Sequence, residues 1–236
     1  MKGAGRGRRR FLDFLLTQTV PGYLHLLQRY TRAVRARNAL LKRKPIDEAS
    51  LDSFTAEVIQ LGNQLIAHRH DLMPALAPRI QAAHKRIAPN GEELRVELIP
   101  SVKKDFTAEL ELTRDRERKH GATIIGPHRD EIALLLHDRS AADYASEGQK
   151  RTIAIALKIA QAEHLTEIHG APPVLLIDDV MGELDEHRRQ GFLPLLEKCG
   201  SGRGQVFMTC TEENWPHDLN RVLQRWKIHN GTLLPC

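Results

Sequence analysis

Two adjacent carboxylates, Asp178 and Asp179, follow four apolar residues, Val174-Leu175-Leu176-Ile177. Such a run reads as a buried parallel strand that delivers acids at its C-terminal end, the edge where open α/β sheets bind ligands. One carboxylate can hold Mg²⁺ through its waters while the next orients an attacking water, as a nucleotide site needs. Many buried strands end in Asp, so the pair takes its meaning from its surroundings. Upstream, Ser146-Glu147-Gly148-Gln149-Lys150-Arg151 opens an amphipathic run from Thr152 to His169, with Ile153, Ala156, Leu157, Ala160, His164 and Leu165 at helical spacing. Ser146 can cap that helix, and Gly148 lets backbone N–H groups approach an anion at its N-terminus. Downstream, Glu183-Leu184-Asp185 forms a short acidic loop before an expected helix, Glu186 to Cys199. Taken singly, the first segment is an ordinary capped helix and Asp185 an ordinary N-cap.

The rest of the chain must position these groups. At 236 residues it can hold one or two domains with a core, and 41% hydrophobic with 28% charged content is ordinary globular composition. No apolar run approaches the roughly 18 residues of a membrane span, and no signal-type apolar segment follows the basic start. Cys199, Cys210 and Cys236 are odd in number and lack metal-ligand spacing, which fits free thiols in a reducing cytoplasm. The twelve histidines form no zinc motif, and His68 and His70, two apart, face different ways on a helix. Charge is uneven. Residues 1–44 carry 12 Lys/Arg against one acid, Asp13, whereas residues 45–236 carry 23 basic and 29 acidic groups. Arg29, Arg32, Arg35 and Arg37 line a helix and suggest contact with DNA phosphates; the alternative is a cluster that solubilises an exposed helix.

The periodicity predicts a short helix from Arg10 to Thr17, broken by Pro21-Gly22, and a longer one from Tyr23 to Lys44 with an apolar stripe and an Arg-rich back. Past Pro45, Asp47 can cap a helix whose apolar positions run from Leu51 to Leu65 and, after a gap at His68, from Leu72 to Ile87. The short loop between the two long helices forces an antiparallel hairpin, a small arm, with Pro74 and Pro78 expected to kink or interrupt the second helix. After the turn Pro89-Asn90-Gly91, Leu94-Val96-Leu98 alternates as a strand, and Asp105 to Lys119 reads as a charged helix. Ala122–Ile125 and Ile132–Leu136 read as β-like runs flanking Gly126-Pro127-His128-Arg129. The helix after Ser146, the Asp178 strand, a strand Gln205–Thr209 and a terminal hairpin around Asn230-Gly231 complete an α/β layer with mainly parallel strands.

Taken in order, Arg9-Arg10-Phe11-Leu12-Asp13, Arg37-Asn38-Ala39-Leu40-Leu41-Lys42, Gly126-Pro127-His128-Arg129-Asp130, Ser146-Glu147-Gly148-Gln149-Lys150-Arg151-Thr152 and Leu175-Leu176-Ile177-Asp178-Asp179-Val180 running to Asp185 resemble the RecF family of ABC/SMC-type ATPase heads. The resemblance covers the chain from about Arg8 to Trp226. It implies an α/β fold, the C-terminal lobe of an ABC/SMC-type P-loop ATPase plus an α-helical antiparallel hairpin arm. Residues 1–20 would lead out of an N-terminal lobe, 21–90 form the arm, and 91–236 form the lobe with signature motif and Walker B. Family members open with a phosphate-binding G-x-x-x-x-G-K-[ST] loop, and no such segment occurs in these 236 residues. The chain thus reads as the C-terminal two-thirds of such a protein, expected to be inactive alone.

By this resemblance Asp178 is the Walker B carboxylate that positions Mg²⁺, and Asp179 occupies the position of the catalytic acid, where a side chain shorter than Glu implies slow hydrolysis. Ser146, Gly148 and Gln149 form the signature motif that reaches ATP held by a second protomer, with Asp185 as the D-loop acid crossing the same interface. Glu147 departs from the wider signature, and Thr209 stands where ABC proteins carry a switch His. The implied function is an ATP-dependent dimeric clamp on duplex DNA and single-strand/duplex junctions, working with RecR and RecO to promote RecA loading and the SOS response in the cytoplasm. Two alternatives stand beside it: a non-catalytic DNA- or partner-binding fragment, and the inert product of a disrupted gene. For His128 and Arg129 a direct role in the nucleotide or DNA site competes with Arg129 pairing with Asp130 or Glu131.

Overall fold

The computed structural model describes residues 6–88, 91–179, 184–185, 188–192, 204–211 and 224–235. Helix α1 (Arg6–Thr19) leads into α2 (Tyr23–Leu41), and a turn whose Asp47 side chain accepts from Ser50 N starts α3 (Glu48–Ile87). Strand β1 (Leu94–Ile99), α4 (Phe106–His120), β2 (Glu131–Leu136), β3 (Arg139–Ser140), α5 (Ala141–Tyr144) and α6 (Glu147–His169) follow, then β4 (Leu175–Asp178), β5 (Val206–Thr209) and the hairpin β6 (Trp226–His229) and β7 (Thr232–Pro235). Among the described residues no helix is long and apolar enough to cross a membrane.

The hairpin arm is present: Tyr23 meets His68, Arg29 pairs with Glu57 and Arg37 reaches Thr55, so α2 and α3 run antiparallel. Pro74 and Pro78 do not interrupt α3, which runs unbroken for 40 residues. Burial of Met73, Leu76 and Ile80 around them holds the helix that isolated propensity would break. The largest described sheet is antiparallel, not parallel: β1 and β2 pair from Leu94↔Leu136 to Ile99↔Glu131, with β3 on the far side of β2. Its alternating apolar face, Leu94, Val96, Ile132, Leu134 and Leu136, packs into one core with α1, α2, α3, α4 and α6. A second core joins Ala83 and Ile87 of α3, Ile155, Ala156 and Ile159 of α6, Leu184, Phe192 and the inner side of the parallel pair β4–β5. The expected buried strand is covered on one face only: Leu175 and Ile177 are half-buried, but Val174 and Leu176 are 55% and 79% exposed and Phe207 is 58% exposed.

Residues 122–125 are not a strand. They belong to a polar knot that uses three of the sequence motifs. Thr123 is fully buried; Asn38 Oδ1 accepts from its backbone N–H and its hydroxyl (2.7 Å each), and Arg37 Nη1 donates to that hydroxyl (2.8 Å). Arg37 is 2% exposed and ion-paired to the fully buried Glu117 at 2.6 Å. It therefore cannot contact DNA, and its assignment as a phosphate ligand is withdrawn. Arg69, also 2% exposed, joins Asp13 and Asp130 at 2.8 Å each and donates to the Pro127 carbonyl. Burial works against the Arg69 charge, yet Asp13 and the neighbouring acids hold its pKa above the ordinary range. Tyr23 donates to Asp13 (2.7 Å), Arg9 to the Asp130 carbonyl (2.6 Å), and Arg8 pairs with Glu131 (2.8 Å). Arg129 accordingly pairs with neither Asp130 nor Glu131; it donates to the Thr123 carbonyl. At Gly126 (φ 124°) a Cβ would sit 2.7 Å from the Tyr30 hydroxyl and 2.9 Å from Phe106, so only glycine fits.

His128 lies within this knot. The Thr123 carbonyl, 3.2 Å from Nε2, can only accept, so Nε2 carries the proton and Nδ1 accepts from Tyr30 (2.7 Å). Burial, with Arg129, Arg9 and Arg69 nearby, pushes its pKa down to about 4.

Removing one partner of the Arg69 group strands a buried charge. Arg69→Met or Asp13→Asn should lower stability by about 3–5 kcal/mol in urea unfolding, well beyond the effect of an exposed Arg→Met change. For His128 the folded pKa lies below the unfolded value of about 6.5, so its contribution is complete above that pH and is lost as pH falls towards about 4. Unfolding midpoints across that window should fall less steeply in His128→Gln than in the parent.

Candidate nucleotide site and nucleic-acid interface

The tip of α6 is a complete capping box. Ser146 Oγ accepts from Gln149 N (3.2 Å), and Gln149 Oε1 accepts from Ser146 N (2.9 Å). This explains why those two residue types stand three apart, and the positive end of the helix dipole at this tip favours an anion. Glu147 pairs with Lys150 along the helix (3.3 Å), which holds its carboxylate in an ion pair with the adjacent cation. At Gly148 a Cβ would meet its nearest atoms, in Arg188 and Ser146, only at 3.8–3.9 Å. The chain's own packing therefore does not demand glycine there; close approach by something else would.

Asp178 ends β4 and Asp179 follows it directly, as expected. Thr209, opposite Asp178 across the parallel pair, donates from its hydroxyl to Asp178 Oδ1 at 2.6 Å. Asp179 adopts a left-handed φ of 48°, and its N–H is held by the Thr209 carbonyl and hydroxyl, both at 3.1 Å. Thr209 thus orients both acids, a job that its reading as the stand-in for a switch His did not anticipate. Asp178 and Asp179 are exposed. An oriented, accessible carboxylate with a hydroxyl behind it fits a Mg²⁺ ligand reached through water.

Asp185 is where the expected helix begins, and of that helix residues 188–192 are described and helical, the remainder lying outside the described residues together with Glu183. Its carboxylate accepts from Arg188 N (2.9 Å) and pairs with the Arg188 guanidinium. That guanidinium also donates to Thr152 Oγ1 (2.8 Å) and Glu92 Oε1 (3.1 Å), and Gln149 Nε2 reaches the same Glu92 oxygen at 3.3 Å. Ser146, Gly148, Gln149 and Asp185 are therefore one bonded group. Asp178 and Asp179 form a second group anchored to the same core through Ile177 and Met208; among the described residues no bond joins the two groups directly. Arg188 and Glu92 escaped the sequence reading, although an Arg three residues after an N-capping Asp is a signal it could have used.

On the arm, Arg29, Arg32 and Arg35 are exposed, as a phosphate-contacting stripe requires, and Arg37 is not. Arg29 and Arg32 line a groove of about 520 Å³ with His25, Ala33, Ala36, Phe54 and Glu57, and Arg29 is partly neutralised by Glu57 at 3.3 Å.

No family model matches the chain. Its sequence is 36% identical to the DNA replication and repair protein RecF of Symbiobacterium thermophilum over 252 aligned positions, covering 99% of this chain and 65% of that protein. It is 33% identical to the RecF of Rippkaea orientalis, covering 100% of this chain and 67% of the relative. The chain belongs to the RecF family. A solved structure of the recombination mediator protein RecF with ATP, in the RecFOR pathway, superposes with a TM-score of 0.80 at 27% identity, covering all of this chain and 64% of that one. An Smc head domain with an extended coiled coil, from Pyrococcus furiosus, superposes with a TM-score of 0.53 at 13% identity, a likeness of fold alone. This RecF-family chain spans about two thirds of the length of those relatives.

Gly148→Ala should leave the isolated chain as stable as the parent, or up to about 1 kcal/mol more so in thermal or urea unfolding, because the added methyl has room and helix entropy favours alanine. A clear loss of stability would mean that glycine serves the fold itself.

Proposed function

We propose that this chain supplies the signature and Walker B half of an ATP-dependent, dimeric RecF clamp that engages DNA. The observation that carries the reading is the anchoring of the capped α6 tip, Asp185 and the Asp178-Asp179 strand end on one small core. In the assembled site the first-turn N–H groups at Glu147 and Gly148 would receive the phosphate of ATP held by another protomer, with Asp185 beside them. Asp178 would hold Mg²⁺ through water, and Asp179 would orient the attacking water. Bound ATP supplies the phosphoryl group whose charge these dipoles and the metal balance. The phosphate-binding loop would come from a segment outside these 236 residues. The short Asp179 and the absence of a switch His favour slow turnover, so that nucleotide acts more as a clamp signal than as fuel.

The DNA-contacting surface in this reading is the exposed face of α2, Arg29, Arg32 and Arg35, with the groove beside it. Contacts there are to phosphates, which suits duplex DNA and single-strand/duplex junctions without base readout. RecR and RecO are the proposed partners, RecA loading and the SOS response the proposed outcome, and the cytoplasm the proposed site of action.

The test uses the purified chain and duplex or gapped DNA across a salt series. Replacing Arg29, Arg32 and Arg35 together by Ala should weaken binding and flatten the log–log salt dependence by about two to three units. An Arg37→Leu protein that still folds should keep the parent's slope. Unchanged slopes in the triple variant would remove α2 from the interface. The parent chain alone should show no Mg·ATP-dependent pairing by light scattering, and should gain it when a family phosphate-loop lobe is added.

A further inference from the structure

Arg188 links the D-loop acid, the first turns of α6 and the segment that leads from the arm into β1. Its guanidinium, 12% exposed as a side chain, bonds Asp185, Thr152 in the first turns of α6, and Glu92 in the segment before β1. Glu92 Oε1 is shared between Arg188 and Gln149. The remaining oxygen, Glu92 Oε2, lies 3.8 Å from Nε2 of His84 in the last turn of α3; both atoms are buried and neither completes a hydrogen bond. The backbone approach is equally close: a Cβ at Gly191 would collide with the Arg86 carbonyl oxygen and lie 3.0 Å from Ile87 Cα. Residues 188–192 are thus seated on the end of the same 40-residue helix that forms half of the arm. The antiparallel packing of α3 on α6, marked by the Arg79–Glu167 and Arg86–Glu163 pairs, continues into this cluster.

We infer that Arg188 is a positioning residue that holds Asp185 and the Ser146–Gln149 tip as one unit and, through Glu92, fixes that unit to the end of the arm helix α3. This rests on the reading of those groups as the phosphate-facing half of the site. Taken singly, each of the three contacts is an ordinary polar bond. Together they place one cation between the two segments that would face a partner's nucleotide and the end of the arm helix α3. A displacement of Asp185 then passes to Arg188, and it reaches α3 through Glu92 beside His84 and through the close seating of Gly191 on Arg86 and Ile87. Arg188 and Gln149 both bond Glu92 Oε1, which turns Oε2 toward His84 Nε2 at 3.8 Å, a charge-to-ring approach without a hydrogen bond. Burial keeps the His84 pKa low, Glu92 opposes that, and Arg188 reinforces it.

Hydrogen–deuterium exchange on the intact 236-residue chain, without nucleotide, tests this separately from the ATP reading. Arg188→Gln should raise exchange about tenfold or more in three places: residues 188–192, the α6 start at 147–152 and the α3 end at 84–88. Glu92→Gln should loosen 84–88 and 147–152, and combining the two changes should add little at 84–88 beyond either alone. The His84 imidazole resonance should titrate at higher pH in Arg188→Gln, because a cation that opposes its protonation is gone. Thr152→Val, which removes the hydroxyl's bonds to Arg188 and to the Gly148 carbonyl and keeps the shape, should loosen 147–152 and 188–192 and spare 84–88, and it serves if Arg188→Gln fails to fold. Exchange confined to residues 188–192, or an unmoved His84 titration in folded Arg188→Gln, would overturn the assignment. A chain that behaves as expected here yet never pairs on ATP would instead sink the nucleotide reading and leave the positioning role standing.

Discussion

A single guanidinium, that of Arg69, fixes how the parts of this chain meet. It projects from the middle of α3 between Asp13 of α1 and Asp130 at the start of β2, and it takes the Pro127 carbonyl as well. A buried cation with two carboxylates tolerates little displacement, since each ångström of separation exposes uncompensated charge to a poorly polarisable surrounding. The arm, the entry helix and the antiparallel sheet are consequently locked in one register, and the long α3 becomes a rigid member common to both cores. Arg37 with Glu117, Thr123 and Asn38 repeats the device one level further along the arm.

That architecture explains which parts of the sequence were legible. Periodicity and capping found α2, α3, α4, α6, β1 and β2 nearly to their ends, and α1 without its first turn, because those elements are amphipathic against a continuous core and most start with residues that solve local hydrogen-bonding problems. The signature tip and the Asp pair were legible for the same reason: Ser146-x-x-Gln149 is a cap and Leu175-Leu176-Ile177-Asp178 is a strand. What misled was long-range pairing. Nothing local distinguishes Arg37 from Arg35, two residues earlier, yet Glu117, eighty positions away, buries one and leaves the other in water. Residues 122–125 looked like a strand because they are apolar and β-branched; their backbone instead serves Asn38 and Glu117. Pro74 and Pro78 read as breakers, and tertiary packing overrode them.

The motifs that identified the family divide into two kinds. Those around Ser146 and Asp178 expose their polar groups and can meet a ligand. Those around Asp13, Arg37 and Gly126-Pro127-His128-Arg129-Asp130 turn theirs inward and spend them on one another. Family membership was thus readable from residues of which about half do structural work, and a motif by itself did not say which kind it was. Burial and bonding partners separate the two, with Thr209 and Arg188 as additions that only the folded chain reveals.

The open side of the β4–β5 pair bears on handling. Val174, Leu176 and Phe207 give it an uncovered greasy stripe beside two strands of only four residues each. Surfaces of that kind invite self-association and chaperone capture when a polypeptide is produced in isolation. Light solubilising conditions, or a cohesive companion chain laid over that stripe, will govern whether preparations remain monodisperse.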